Sequence, residues 1–181
     1  MHLRILFVIY ILAIGCGGTE TRIQQLKKLN DLQLDSIRKR VLTSYKDTVK
    51  FDTAFVSDKG NTVFVKLRHL CTYDNKVNTP REYLDVYKLT KFQTHNFVTR
   101  VEFRINSKTI YDGFITKDDF KANISNDLKR YGVLKLNRPD IDISGDKLSI
   151  EYRIVIPLAG VDLGYIIEID SAGIKHTGSL D

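Results

Sequence analysis

The sequence predicts a mainly β fold: an antiparallel β-sandwich, immunoglobulin-like or a related barrel, with one short helix and an N-terminal helical or flexible tether. Two observations lead to this prediction. After residue 50, apolar and polar side chains alternate with a period of two, and short turn sequences separate the alternating stretches. The chain has 181 residues, 43% of them hydrophobic, which is enough to bury one core. We therefore expect a single sandwich domain over residues 49–181.

The first 15 residues have the layout of a secretory signal peptide. Arg4 and the amino terminus make a short positive region, and residues 5–14 are an uninterrupted apolar run. A membrane-spanning helix needs about 20 such residues, so this run is too short to span a bilayer. Gly15 is small, as expected beside a cleavage site, and Cys16 follows it.

The four residues Ala13, Ile14, Gly15 and Cys16 resemble the lipobox of bacterial lipoproteins. The resemblance covers only the signal segment, and Ala13 stands where leucine is commonest. It implies cleavage after Gly15 and attachment of a diacylglyceryl group to the thiol of Cys16. Several acyl chains anchor a protein stably, whereas one chain binds a membrane reversibly. We therefore expect the protein to associate with a membrane through this lipid anchor.

The succession of lipobox, charged tether and all-β domain is similar to that of small envelope lipoproteins of Bacteroides-type bacteria. Surface-exposed members of that group carry an acidic cluster soon after the lipidated cysteine, whereas residues 16–21 here contain only Glu20. Gly17 also replaces the aspartate that retains some lipoproteins in the inner membrane. The resemblance implies a lipid-anchored protein of the cell envelope, held at the outer membrane and facing the periplasm.

Residues 16–48 are predicted to form the lipidated N-terminus and tether. Most of the segment is rich in helix-forming residues, and Leu34, Ile37, Val41 and Tyr45 recur three, four and four residues apart. This spacing predicts one apolar stripe along a helix. Docking of the stripe on the domain, or partial order of the segment, is favoured, and contact with the membrane surface is the alternative.

The first half of the domain reads as strands. Residues 57–61 predict a turn that joins 51–56 to a strand over 61–73 as a hairpin. In the second strand one face carries Val63, Val65, Leu67, His69 and Cys71. Residues 81–89 are predicted as a short strand, and stronger alternation predicts strands at 96–106 and 109–116.

One helix is predicted to interrupt the strands. Thr116 and Asp119 resemble a capping pair, and Phe120, Ile124 and Leu128 recur every four residues. Gly132 is a suitable stop for this helix. Further strands are predicted at 133–136, 147–157, 165–170 and 174–178.

The spacing of residues 140–151 matches a calcium-binding EF-hand loop. Asp140, Asp142 and Ser144 occupy ligand positions, and Glu151 stands where the bidentate glutamate belongs. An EF-hand needs a helix on each side, whereas Pro139 opposes a preceding helix. A strand-connecting turn is therefore favoured over a calcium site.

The sequence gives only weak signals for a zinc site, a disulfide or a nucleophilic serine. His69 and Cys71 would place two zinc ligands side by side, but burial in the sheet explains them better. If Cys16 carries lipid, Cys71 has no partner for an internal disulfide. We found no serine in a glycine elbow, and Ser171 fits a hairpin turn. The sequence therefore predicts no catalytic residues and no cofactor beyond the covalent lipid.

The net charge of +6 comes from 28 basic and 22 acidic residues that are interspersed along the chain. This balance favours a solvated surface, with weak attraction to anionic headgroups or polyanions as the alternative. Export to the envelope argues against nucleic acid as a partner. The apolar loop 157–164 contains Leu158, Val161 and Leu163, which are candidate contacts for an envelope protein or glycan.

We therefore expect a non-enzymatic binding or assembly module. An envelope inhibitor or immunity-type protein is the alternative, because it would need the same fold and anchor. A hydrolase is a third hypothesis, and it requires a deep pocket with a titratable group of shifted pKa.

Overall fold

The structure is a computed structural model that describes residues 21–44, 48–136, 141–144 and 147–180. Within these ranges the chain forms two main antiparallel sheets that share one apolar core, and short helices pack against them. This is the antiparallel, sandwich-like β architecture that the alternating pattern predicts.

The helices are α1 (Arg22–Lys27), α2 (Asp31–Ser44), α3 (Arg81–Val86) and α4 (Asn126–Tyr131), with one turn of 3-10 helix at Lys117–Phe120. The strands of the first half are β1 (Val49–Val56), β2 (Thr62–Cys71), β3 (Val77–Asn78), β4 (Gln93–Thr94), β5 (Phe97–Ile105) and β6 (Lys108–Ile115). Those of the second half are β7 (Val133–Lys135), β8 (Ile141–Ser144), β9 (Lys147–Ile156), β10 (Val161–Ile169) and β11 (Lys175–Ser179).

The first sheet has the strand order β1-β2-β5-β6, and every neighbouring pair is antiparallel. Its first hairpin confirms the predicted turn, since the Ser57 N–H donates to the Asn61 carbonyl at 2.8 Å. The second sheet has the order β11-β10-β9-β7, and β8 pairs with the same edge of β9 as β7. The small strands β3 and β4 pair with each other.

The core lies between the two sheets. β2 and β5 contribute Val65 and Phe103, while β9 and β10 contribute Ile150 and Ile167, and none of these side chains is exposed to solvent. Burial of one such side chain contributes about 1.5–3 kcal/mol. The ring of Phe120 adds to this core, with its centroid 5.7 Å from those of both Tyr152 and Tyr165.

The N-terminal helices pack on the sandwich. Leu26 of α1 and Leu34 of α2 are buried in the core, and Ile37 and Val41 pack against it. This confirms the predicted docking of the apolar stripe, apart from Tyr45, which lies outside the described residues. The start of α1 is fixed by a capping box in which Thr21 and Gln24 exchange hydrogen bonds.

The prediction of a strand at 81–89 is wrong, because this segment contains α3. Pro80 precedes the helix with a φ of −57°, which is already suited to a helix start. Tyr83, Val86 and Tyr87 follow at helical spacing and are all buried. Leu84 is buried beside them, so the segment lacks the strict alternation of a half-buried strand.

The predicted helix after Thr116 is two elements. The Thr116–Asp119 capping box starts the short 3-10 turn, and Ser125 then caps α4 by accepting a hydrogen bond from the Leu128 N–H. A capping serine favours a new helix start over continuation of the previous one. Gly132 ends α4 as predicted, and a Cβ there would lie 2.4 Å from the Leu128 carbonyl oxygen.

Asp119 connects the 3-10 turn to the edge strand β11. One carboxylate oxygen accepts the Thr116 N–H at 2.7 Å, and the other pairs with the ammonium of Lys175. Both side chains of the pair are largely shielded, with 29% of Lys175 and 18% of Asp119 exposed. Solvent therefore screens this pair less than a surface ion pair.

We expect Asp119→Ala to lower the free energy of unfolding by about 1–3 kcal/mol, because it removes a helix-turn cap and leaves Lys175 without its carboxylate. The matched control is Asp85→Ala, since Asp85 pairs with Arg81 at 3.9 Å with both side chains mostly exposed. We expect Asp85→Ala to lower the free energy of unfolding by at most about 0.5 kcal/mol. Urea titrations of both variants measure the difference, and equal losses would contradict the role given to Asp119.

Candidate functional site

The residues of the predicted lipid anchor lie outside the described part of the chain. Gly15 and Cys16 both belong to residues 1–20, and Asp140 of the predicted calcium loop belongs to 137–140. The lipidation of Cys16 therefore stays a prediction. Among the described residues, no helix is long and apolar enough to cross a membrane.

The remaining calcium-loop residues belong to a hairpin. Asp142 and Ser144 lie in β8, and Ser144 pairs with Lys147 at the start of β9. Glu151 is exposed and lies four residues farther along β9, about 13 Å at about 3.3 Å per residue. Calcium ligands lie about 2.4 Å from the ion. The backbone pairing thus places Ser144 and Glu151 apart along the hairpin, and the calcium site stays a prediction.

The three candidate binding residues divide into two groups. Leu158 is buried in the core with a φ of 65°, so it closes the sandwich at the turn between β9 and β10. Val161 and Leu163 lie on β10 and are 36% and 37% exposed. The structure therefore separates Leu158 from the surface on which the other two lie.

Val161 and Leu163 line a surface cleft of about 480 Å³. The other walls come from the two short helices α3 and α4, and the main lining residues are Glu82, Tyr83, Asp127, Leu128, Val161 and Leu163. A cleft of this volume is large enough to receive one or two side chains of a partner. Its apolar lining suits aliphatic or aromatic groups.

Two carboxylates flank the apolar lining. Glu82 lies in the first turn of α3 and Asp127 in the first turn of α4, where the helix dipoles favour negative charge. In the part of the chain that the structure describes, neither has a basic side chain within ion-pair distance. Burial raises the pKa of the Tyr83 phenol, and the charges of Glu82 and Asp127 raise it further. Arg81 also lines the cleft, with its guanidinium 3.9 Å from the Asp85 carboxylate, so the lining has a small excess of negative charge beside its apolar surface.

The sequence identified one wall of this cleft and missed the other two. Val161 and Leu163 were conspicuous because they are apolar residues in a predicted loop. Glu82 and Tyr83 were obscured by the incorrect strand prediction. The signal that would have revealed them is Pro80 followed by Tyr83, Val86 and Tyr87 at helical spacing.

A comparison with protein-family models finds no match, and no curated protein matches the sequence of this chain.

His69 and Cys71 are both buried on the inner face of β2, as the favoured prediction required. The Nδ1 atom of His69 lies 2.8 Å from Oγ1 of Thr99, and its ring stacks on Phe97 with centroids 5.0 Å apart. Among the described residues, no three histidine, cysteine, aspartate or glutamate side chains are grouped as metal ligands.

Burial lowers the pKa of His69 from 6.5 to about 4, and the nearby charge of Lys135 acts in the same direction. The native state therefore holds this imidazole neutral. In the unfolded chain His69 regains its ordinary pKa and takes up a proton as the pH falls below 6.5. The contribution of His69 to stability is complete above pH 6.5 and is lost progressively down to pH 4.

We expect the free energy of unfolding of the wild type to fall between pH 7 and pH 5 by about 2 kcal/mol more than that of His69→Gln. The glutamine stays neutral over this range and keeps a polar group near Thr99. His176→Gln is the control, because His176 is exposed, with 59% of its side chain accessible. Chemical denaturation at several pH values measures the slopes, and a His69→Gln slope equal to that of the wild type would contradict the assignment.

Proposed function

We propose that this protein is a lipid-anchored binding module of the bacterial cell envelope, which uses the α3–α4 cleft to capture a protein partner. The observation that carries this proposal is the exposure of Val161 and Leu163 at an apolar cleft flanked by the carboxylates of Glu82 and Asp127. The matching partner is a protein segment that presents a lysine or arginine among apolar side chains.

The anchor is proposed from the lipobox-like residues 13–16. The described chain begins at Thr21, which caps α1, and α1 contacts α3. Residues 16–21 span at most about 18 Å even when fully extended. A lipid on Cys16 would therefore hold the α1–α3 side of the domain near the membrane, at the outer membrane facing the periplasm under this proposal.

The apolar and acidic parts of the cleft have separate roles in the proposed capture. Val161 and Leu163 supply area that loses water on binding, at about 25 cal/mol per Å². Glu82 and Asp127 select partners with positive charge and exclude apolar segments that carry carboxylates. Partner capture should therefore weaken as the salt concentration rises.

We expect Leu163→Asp to reduce capture of the partner at least about tenfold, because it places a charge in the apolar mouth of the cleft. The full-length protein is used as bait in detergent-solubilised envelopes, and captured proteins are quantified by mass spectrometry. The double variant Glu82→Gln, Asp127→Asn should lose the same partner.

Val56→Asp is the matched control, because Val56 is 67% exposed on the edge strand β1, which contributes no residue to the cleft. It should retain the partner. Circular dichroism verifies that all variants are folded. If the captured set is unchanged in folded Leu163→Asp, or is lost equally in Val56→Asp, the cleft is not the capture site.

Acyl labelling tests the anchor separately. We expect the wild-type protein to incorporate a labelled fatty acid and Cys16→Ser to incorporate none, because only the thiol forms the thioether. Cys71→Ser is the matched control, since Cys71 is a buried thiol in β2 and should not affect labelling. An unlabelled wild type, or label that persists in Cys16→Ser, would overturn the lipid anchor and leave the cleft untouched.

A further inference from the structure

A second concave surface lies on the opposite side of α4 from the cleft. It is a cavity of about 470 Å³ that shares no lining residue with the α3–α4 cleft. Basic side chains from three segments meet there: Lys76 from the loop after β2, Lys117 from the 3-10 turn, and Lys129 and Arg130 from α4. We call these four residues the basic quartet.

The carboxylates of the cavity are already engaged. Asp74 accepts hydrogen bonds from the backbone N–H and side-chain amide of Asn96, at 3.0 and 2.7 Å, and from the Lys76 N–H at 3.2 Å. Asp118 pairs with Lys121 at 3.2 Å. Within the described ranges, Lys76 and Lys129 have no carboxylate within ion-pair distance. The cavity therefore has an excess of positive charge.

Lys117 is the fixed member of the basic quartet. Its ammonium donates to the carbonyl oxygens of Lys129 and Gly132, both at 2.8 Å, at the end of α4. An ammonium has three N–H donors, so these two bonds leave one donor for a ligand. Burial lowers the pKa of Lys117, although the charges of Asp118 and Asp74 oppose this. The lysine is thus held in place and partly desolvated, which strengthens its interaction with an anion.

The loop that carries Lys76 is held in a strained conformation. Tyr73 and Asn75 both have a φ of 53°, in the left-handed region that side chains other than glycine rarely adopt. This conformation is less favourable for tyrosine than for asparagine. The hydrogen bonds between Asp74 and Asn96 hold this conformation. Strain that the surroundings maintain is common at binding sites.

We propose that this cavity binds an anionic sugar unit of a glycan; that the glycan belongs to the cell envelope rests on the proposed function. The basic quartet would hold the acidic group of the sugar. The neutral side chains of Thr72, Asn96 and Thr116 line the same cavity; Thr72 and Asn96 each donate one hydrogen bond within the protein, and their side-chain oxygens would accept from the hydroxyl groups of the sugar. A simple inorganic anion would contact only the basic quartet and would not need the neutral polar side chains. The volume of about 470 Å³ is within the range of small-molecule sites and suits one or two sugar units.

Isothermal titration calorimetry of the full-length protein in detergent tests this site. The probes are a sulfated glucosamine–uronate tetrasaccharide, neutral maltotetraose and sodium sulfate. We expect the sulfated tetrasaccharide to bind at least about tenfold more tightly than either other probe, and its affinity to fall with added salt. Equal affinity for sodium sulfate would overturn the sugar assignment, and so would the absence of any binding of the tetrasaccharide.

The double variant Lys76→Gln, Lys129→Gln should weaken tetrasaccharide binding at least about tenfold. Both side chains are exposed, so the fold should be unaffected. Lys91→Gln, Lys108→Gln is the matched control, because it removes the same charge from exposed positions outside the cavity. Equal affinities of the two double variants would overturn the proposal. Binding to phosphatidylglycerol vesicles that is lost in the first variant, without any binding of the sugar, would assign the cavity to a lipid headgroup instead.

Discussion

The packing of the two sheets against each other is the constraint on which the rest of the structure depends. Because side chains alternate between the faces of a strand, a slip of one residue in β2 or β9 would expose the whole apolar set. The register is therefore fixed by burial, and the polar groups of the core must fit within it. His69 and Thr99 are directly opposite each other on β2 and β5, and the Nδ1 atom of His69 lies within hydrogen-bond distance of the Thr99 hydroxyl. Burial holds the His69 imidazole neutral, so this part of the core is destabilised when acid protonates the unfolded chain.

The short helix α4 divides the surface into the cleft and the cavity. Leu128 and Tyr131 are three residues apart and lie on one side of the helix, where they line the cleft. Lys129 and Arg130 lie between them in sequence and contribute to the cavity instead. A six-residue helix therefore supplies an apolar wall to one concavity and a basic wall to the other. The position of α4 is fixed by the second sheet, because Gly132 at its end has no side chain and so allows close contact with the Ile154 side chain of β9. The sandwich core thus determines the placement of both surfaces.

The sequence predicted those parts of the fold whose signal is local and regular. β2, β5 and β9 are long runs in which apolar residues recur every second position, so both their existence and their main buried faces were predictable. α3 was missed because its six residues carry a short apolar pattern, which length alone does not assign to helix or strand. The EF-hand spacing was outweighed for a different reason: ligand spacing requires a particular backbone, and the strand-connecting turn favoured by Pro139 agrees with the pairing of β8 and β9. The cleft and the basic quartet were not predictable, since each combines residues from segments that only the folded topology brings together.

Docking of the N-terminal helices changes what a lipid on Cys16 would do. Residues 16–48 as a free tether would reach about 110 Å at about 3.5 Å per residue, and the domain could then sample any orientation. Leu26 and Leu34 are instead buried in the core, so the described chain is attached to the sandwich from its first helix. Only residues 16–21 would then connect the lipid to α1. A connection of at most about 18 Å would restrict both the distance of the domain from the bilayer and its orientation, and it would keep α1 and the neighbouring α3 close to the bilayer. The partner best placed for the cleft is then a membrane-bound protein, because both molecules would be confined to the same thin layer and their effective concentration would rise accordingly.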